Sequence, residues 1–154
     1  MAQNLEIDSV DLVILTELSA DADTPYTKVA EKAFVSDGTV HGRMRILKEK
    51  GIVRGSTLVL DHVKLGYDLT AFIGIHLDNG SEYANVVRAL EEIPEIVEAH
   101  YITGGYSIFV KIVCKNTNHL RQVLNDKLQK VNGIQRTETF ISLEERFCRP
   151  ISLK

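Results

Sequence analysis

S-D-G-T-V-H-G-R-M-R-I-L-K-E-K-G, Ser36 to Gly51, decides how the first part of this chain folds. It predicts one helix with a cap at each end. Ser36 is an N-cap residue whose hydroxyl accepts an orphan backbone N–H of the first turn. Gly51 stands where a helix ends in the left-handed conformation. Val40, Met44 and Leu47 recur at i, i+4, i+7 and form an apolar stripe. Gly38, Gly42 and Arg45 fall on the opposite side. His41 and Lys48 flank them on one edge, Arg43 and Lys50 on the other. A charge-rich face is commonly only a solvated one. The two glycines argue for more. Each costs roughly 1 kcal/mol relative to alanine in a helix interior, and neither faces a core. Glycine there leaves room for a close approach, and the DNA major groove is the usual surface.

What precedes and follows this helix completes a motif. Asp8 to Ala20 is amphipathic, capped by Asp8, with Asp11 in its first turn and Val10, Ile14, Leu15 and Leu18 inward. Asp21-Ala22-Asp23-Thr24 is a turn. Thr24-Pro25 opens a short second helix, threonine as cap and proline at the first helical position, running to about Phe34. A short helix joined by a tight turn to a basic one is the helix-turn-helix pattern. Ile52 to Leu60 reads as two short strands turning at Gly55-Ser56, a wing beside the basic helix. The expected nucleic-acid contacts are Ser36, Gly38, Thr39, His41, Gly42, Arg43, Arg45, Lys48 and Arg54.

The net charge of the 154 residues is −3, so DNA contact requires a local patch rather than bulk charge. Residues 43–54 supply one: Arg43, Arg45, Lys48, Lys50 and Arg54 against Glu49 alone. With 44% hydrophobic and 25% charged residues the composition is that of an ordinary globular protein. No apolar run has the length of a membrane span, and Met1-Ala2-Gln3-Asn4-Leu5 is not a signal peptide. Cys114 and Cys148 make no disulfide framework and suit a reducing cytoplasm.

Asp61 to Gly66 reads as a linker between a domain at 1–60 and another at 67–154. The second half alternates strand and helix periods. Tyr67–Asp78 is a strand, with Ala71, Ile73, Ile75 and Leu77 on one face and Phe72, Gly74 and His76 on the other. Ser81 caps a helix to about Glu92. Ile96–Thr103 and Tyr106–Cys114 are strands around a Gly104-Gly105 hairpin. Asn116–Val131 is a helix and Gln135–Leu143 a last strand. The order βαββαβ is the ferredoxin-like split motif, so the fold class is α+β. Both helices should cover one sheet face. The other carries Phe72, Phe109 and Phe140, and an open apolar face is commonly an oligomer interface.

The string S-x-x-T-V-x-x-R-M-x-x-L-x-x-x-G-I-V, a hinge ending in Leu-Gly-Tyr, and βαββαβ with T-G-x-Y closely resemble the Lrp/AsnC family of transcription regulators. The resemblance spans essentially the whole chain. Phe72–Ile75, Tyr101–Lys111 and Thr137–Leu143 look most like the asparagine-responsive branch. The resemblance implies a DNA-binding domain, a RAM-type amino-acid-sensing domain, and homodimers assembling to octamers with effector between subunits. It implies an effector cleft at Tyr101, Thr103, Gly104, Gly105, Tyr106 and Ser107, with Thr137, Glu138 and Thr139 from the last strand. An amino-acid zwitterion needs N–H donors for its carboxylate and an acceptor for its ammonium, and a Gly-Gly turn exposes N–H groups. The bland reading of Gly104-Gly105 is a tight hairpin and nothing more. Many relatives carry an acid at position 107, where this chain has Ser107. Glu138 or main-chain carbonyls are then the ammonium acceptors. Asp23 stands where relatives often carry a basic residue.

His41, His62, His76, His100 and His119 and the two cysteines show no metal-ligand spacing. No cofactor fingerprint and no nucleophile–base pair is present, so an enzyme is not expected. Three readings compete: an effector-responsive transcription regulator acting on double-stranded DNA, an amino-acid sensor whose helix-turn-helix serves protein contacts, and an architectural DNA-binding protein without an effector. The basic helix with outward glycines favours the first and third. Asparagine or a similar small amino acid is the expected ligand of the first.

Overall fold

The computed structural model describes residues 7–153, so the reading of Met1 to Leu5 lies outside the described residues. The chain divides into two compact units. Described residues up to 59, with those from 147 on, form the first, and residues 60–146 form the second.

The first unit is built on three helices: α1 (Ser9–Ala20), α2 (Tyr26–Ala33) and α3 (Asp37–Glu49). Local side-chain chemistry sets the ends of α1 and α3. At α1 a reciprocal box forms: the Asp11 N–H donates to Asp8 at 2.9 Å, and the Asp8 N–H donates to Asp11 at 3.3 Å. At α3 the Thr39 N–H donates to the Ser36 hydroxyl at 3.2 Å. The turn after α3 places Gly51 at φ +71°, as expected of a left-handed terminus. Proline is the cap of α2 rather than its first residue, because the Pro25 carbonyl already accepts from Lys28 and Val29. Ile14, Val29, Ala30, Val40, Met44 and Leu47 close one core. At about 0.8 kcal/mol per buried methylene, that core is what holds three short helices together.

The expected wing is absent: residues 52–60 form no strand. The cause is local. The Ile52 and Val53 N–H groups both donate to the Leu47 carbonyl, at 2.9 and 3.2 Å, and so close the end of α3. Their side chains pack on the helical core. What remains is too short for a hairpin that must stand alone.

The second unit is an antiparallel sheet of β1 (Leu69–Leu77), β2 (Ile96–Tyr101), β3 (Ile108–Cys114) and β4 (Ile134–Ile141), in the order β2-β3-β1-β4. Two helices, α4 (Tyr83–Glu91) and α5 (Thr117–Asp126), pack on one face. Ala71, Ile73, Ile75, Ile108, Val110 and Ile112 bury there against Val86, Leu90, Leu120 and Val123. This is the expected βαββαβ arrangement. Two helix ends differ from expectation. Asn79, not Ser81, makes the first cap, and a short 3-10 turn at Gly80–Glu82 precedes α4. A second such turn, Leu128–Lys130, replaces the last part of the expected α5.

The face away from the helices carries a cluster of aromatic rings. Phe72 and Phe109 lie 6.0 Å apart, and Phe109 and Phe140 lie 6.4 Å apart. No helix among the described residues is long and apolar enough to cross a membrane.

Candidate nucleic-acid interface and effector cleft

The caps and stripe of α3 hold its outer face open to solvent. Ser36, Gly38, His41, Arg45, Lys48 and Lys50 are exposed, while Thr39, Gly42 and Arg43 are half-buried. A Cβ built on Gly38 would meet only the Ser36 hydroxyl, at 3.9 Å, and one on Gly42 would meet nothing within 4 Å. Neither glycine is therefore required by this chain's own packing. Ser36 and Thr39 bond each other through their hydroxyls at 2.8 Å. His41 stands against the Tyr26 ring, centroids 4.6 Å apart, and 3.7 Å from Asp37. Arg45 has only a loose pairing with Glu49, at 3.9 Å. Lys48 and Arg54 line one open groove together with Leu15, Leu18, Met44, Ile52 and Val53.

Arg43 is occupied differently from its neighbours. Its guanidinium bonds Asp8 at 2.7 Å and Asp11 at 3.3 Å, tying the start of α1 to the middle of α3. Asp11 is the one charged side chain buried among the described residues. The Asp11 N–H, against the opposing effect of burial and with help from Arg43, holds the Asp8 carboxyl below its usual range. Arg43→Ala leaves Asp11 buried without its cation, and a loss of about 1–3 kcal/mol is expected. Chemical denaturation of the variant checks this. A midpoint equal to that of the native chain would show the pair to be ornamental.

In the second unit the expected cleft residues divide between the two sheet faces. Tyr101 lies opposite Ile108 on the helix side, where its ring meets Tyr83 at 4.5 Å. Thr137 and Thr139 lie opposite Ile75 and Ile73, so they share that side. Glu138 lies opposite Gly74 and therefore faces the open side. There the Tyr106 hydroxyl donates to Glu138 Oε2 at 2.9 Å. That hydrogen bond first, and burial after it, push the Tyr106 phenol above its usual pKa. The hairpin above is exposed at Thr103, Gly104 and Gly105. Its neck is closed by the Ile102 N–H donating to the Ser107 carbonyl at 3.1 Å. The Ser107 N–H donates to Ile75 at 2.9 Å, so it is not available to a ligand.

Three residues have a part in the open face that the sequence reading did not assign, although it set His76 and Gly74 on that face. His76 Nε2 lies 3.7 Å from Glu138 Oε1, buried and without a hydrogen-bond partner. Arg136 lies 3.4 Å from the same oxygen. Gly74 is the third: a Cβ there would come within 2.5–2.7 Å of the Tyr106 ring, so only glycine seats it. A glycine inside a β-strand was the available signal, since it marks a close approach.

Comparison with known proteins agrees with both halves. A family model described as the AsnC-type helix-turn-helix domain matches residues 7–48. One described as the Lrp/AsnC ligand binding domain matches residues 70–151. The regulatory protein AsnC of Haemophilus influenzae is 43% identical over 145 residues, covering 94% of this chain and 97% of that protein. The regulatory protein AsnC of Escherichia coli is 40% identical over 149 residues, covering 97% and 98%. The solved structure of Escherichia coli AsnC superposes with a TM-score of 0.88 at 39% identity, covering 94% of this chain and 97% of that one.

Proposed function

The chain belongs to the Lrp/AsnC family of DNA-binding, non-enzymatic transcription regulators, and from that premise we propose that it is a cytoplasmic regulator whose grip on its operator answers to a small amino acid. Residues 1–60 bind double-stranded DNA, 61–66 link, and 67–154 sense and assemble. The outer face of α3 enters the major groove. Arg45 reaches base edges or phosphate, and Lys48 and Arg54 hold phosphate. Ser36, Gly38, Thr39, His41 and Gly42 form the close-approach surface, and Arg43 holds that surface in place through Asp8 and Asp11.

The effector is asparagine or a similar small amino acid, bound over the Gly104-Gly105 hairpin with Glu138 as anionic acceptor. A ligand ammonium arriving there exchanges with the Tyr106 hydroxyl. The observation that supports this reading best is the conformation of the hairpin. Gly104 has φ +106°, which explains its glycine, but Gly105 is not left-handed and has no atom within 4 Å of its missing Cβ. With no conformational need for glycine at 105, the bare turn leaves room for a ligand to approach its backbone. The clustered Phe72, Phe109 and Phe140 face is a two-fold dimer surface, and dimers build to an octamer. A second copy would bring two α3 helices to a pseudo-palindromic site.

One experiment tests the reading. Duplexes selected from a random pool by the full chain are titrated at several salt concentrations, with and without each of the twenty amino acids. Binding should fall steeply with salt, and at least one amino acid at millimolar concentration should change the footprint or the mass of the assembly. Lys48→Ala and Arg54→Ala should each flatten the salt slope by about one unit. An unchanged slope in both would remove them from the interface. No response to any amino acid would end the sensor reading.

A further inference from the structure

Phe34 sits at the end of α2, two residues before the cap of α3, at φ +55° and ψ +42°. It is the one residue other than glycine with positive φ among the described residues. The geometry around it is a Schellman ending. The Phe34 N–H donates to the Ala30 and Glu31 carbonyls, and the Val35 N–H reaches back to Ala30 at 3.0 Å. That position favours glycine, or asparagine after it, because a Cβ strains the left-handed backbone. An aromatic residue there carries the strain and returns nothing to the fold, since Phe34 is 95% exposed. Its neighbour Val35 packs on the core. The tight turn thus tucks Val35 in and holds Phe34 out.

A strained residue that the fold does not use points to a contact outside the chain. The surroundings decide which kind. Between residues 26 and 45 Phe34 is the single exposed large apolar side chain; those of this unit that follow begin at Ile46, at 42%, and continue with Leu58, Val59, Phe147 and Ile151. A protein interface presents an apolar core of several such groups. Here the exposed residues that follow Phe34 along the chain include Ser36, Gly38 and His41, with Arg45 further along α3. In a helix-turn-helix the N-terminal residues of the second helix meet base edges. The residue that enters that helix is then at the groove mouth. The apolar feature of a major groove is the thymine C5-methyl group.

Resting on the DNA-binding reading above, we propose that Phe34 is a sequence-specificity residue: its ring contacts a thymine methyl at the edge of the half-site reached by the N-terminus of α3.

The probe is the duplex selected by the full chain, made with deoxyuridine in place of each thymidine in turn, so that one methyl is removed at a time. Phe34→Gly keeps the backbone conformation and removes the ring, and Phe34→Tyr keeps the ring. The native chain should lose about 4-fold in affinity at one thymidine per half-site, the value of one buried methyl. Phe34→Gly should melt higher than the native chain. It should bind the unmodified duplex about 10-fold more weakly, with the salt slope unchanged because no phosphate contact is lost. It should also be indifferent to the deoxyuridine that the native chain and Phe34→Tyr both detect. Equal affinity of Phe34→Gly and the native chain, or a deoxyuridine penalty that survives in Phe34→Gly, overturns the inference while leaving DNA binding intact. A drop in assembly mass without a change in DNA affinity also overturns it, in favour of a subunit contact. A native chain that selects no duplex at all fails at the earlier step, and both readings go with it.

Discussion

Gly42→Leu should bind no operator DNA while folding at least as well as the native chain. The two halves of that expectation come from the same observation. Gly42 lies on α3 opposite Val40, Met44 and Leu47, and a Cβ there has no neighbour within 4 Å. A leucine side chain is accommodated without moving the core. It also removes the conformational cost of glycine inside a helix, a gain of about 0.8–1.0 kcal/mol, so the melting temperature should rise by a few degrees. The same side chain then stands out from the face that approaches the groove. It holds backbone and bases apart and prevents Arg45, Lys48 and Arg54 from reaching together. The loss should be on the order of 100-fold or more, equivalent to about 2.7 kcal/mol of binding free energy. Gly42→Ala, with a single methyl, should fall between the two. Titration of the selected duplex, run beside a thermal melt, separates docking from folding. A stable Gly42→Leu protein with native affinity would mean that another face meets DNA.

How far the sequence foretold these features depends on how local their causes are. The caps of α1 and α3 were legible because Asp8, Asp11, Ser36 and Gly51 act within four residues of themselves. The alternation of Ala71, Ile73 and Ile75 with Phe72 and Gly74 placed the helix face and the open face of β1 correctly, since a strand has no other way to bury half its residues. The wing failed where two local outcomes competed. Ile52 and Val53 have strand-like side chains, but the carbonyl of Leu47 needed a donor and took both of theirs. The cleft shows another limit. Thr137, Glu138 and Thr139 read as one continuous lining, yet the strand period sends Glu138 to one face and both threonines to the other. Arg43 illustrates pairing at a distance. Its charge looked available on the helix wheel, and partners 35 and 32 positions earlier, Asp8 and Asp11, had no periodic signature linking them to it. Phe34 was illegible for the opposite reason: local preference disfavours its conformation, and only the geometry reveals it.

Gly105→Val should abolish the response to amino acids and leave basal DNA binding untouched. If Gly104 and Gly105 served only to turn the chain, both would have a conformational reason, and only Gly104 does. Gly105 has no left-handed φ and open space where its side chain would be. Valine therefore fits the isolated hairpin, and the β2–β3 pairing, from Glu98 opposite Lys111 to Tyr101 opposite Ile108, should persist. Its branches, however, shield the N–H groups at the tip and occupy the space that the bare glycine leaves open. An effector held at one hundred times its dissociation constant stabilises the native state by about 2.7 kcal/mol, and that increment is what the variant should lose. Any change in assembly mass should vanish with it, because a ligand shifts an equilibrium only by its differential affinity for the two states. The salt slope and the affinity for DNA without effector should match the native chain, since α3 and Arg54 are unaltered. Thermal melts and sedimentation, each with and without the amino acid that acts on the native chain, provide the readout. A variant that still melts higher with that amino acid would place its binding elsewhere on the protein.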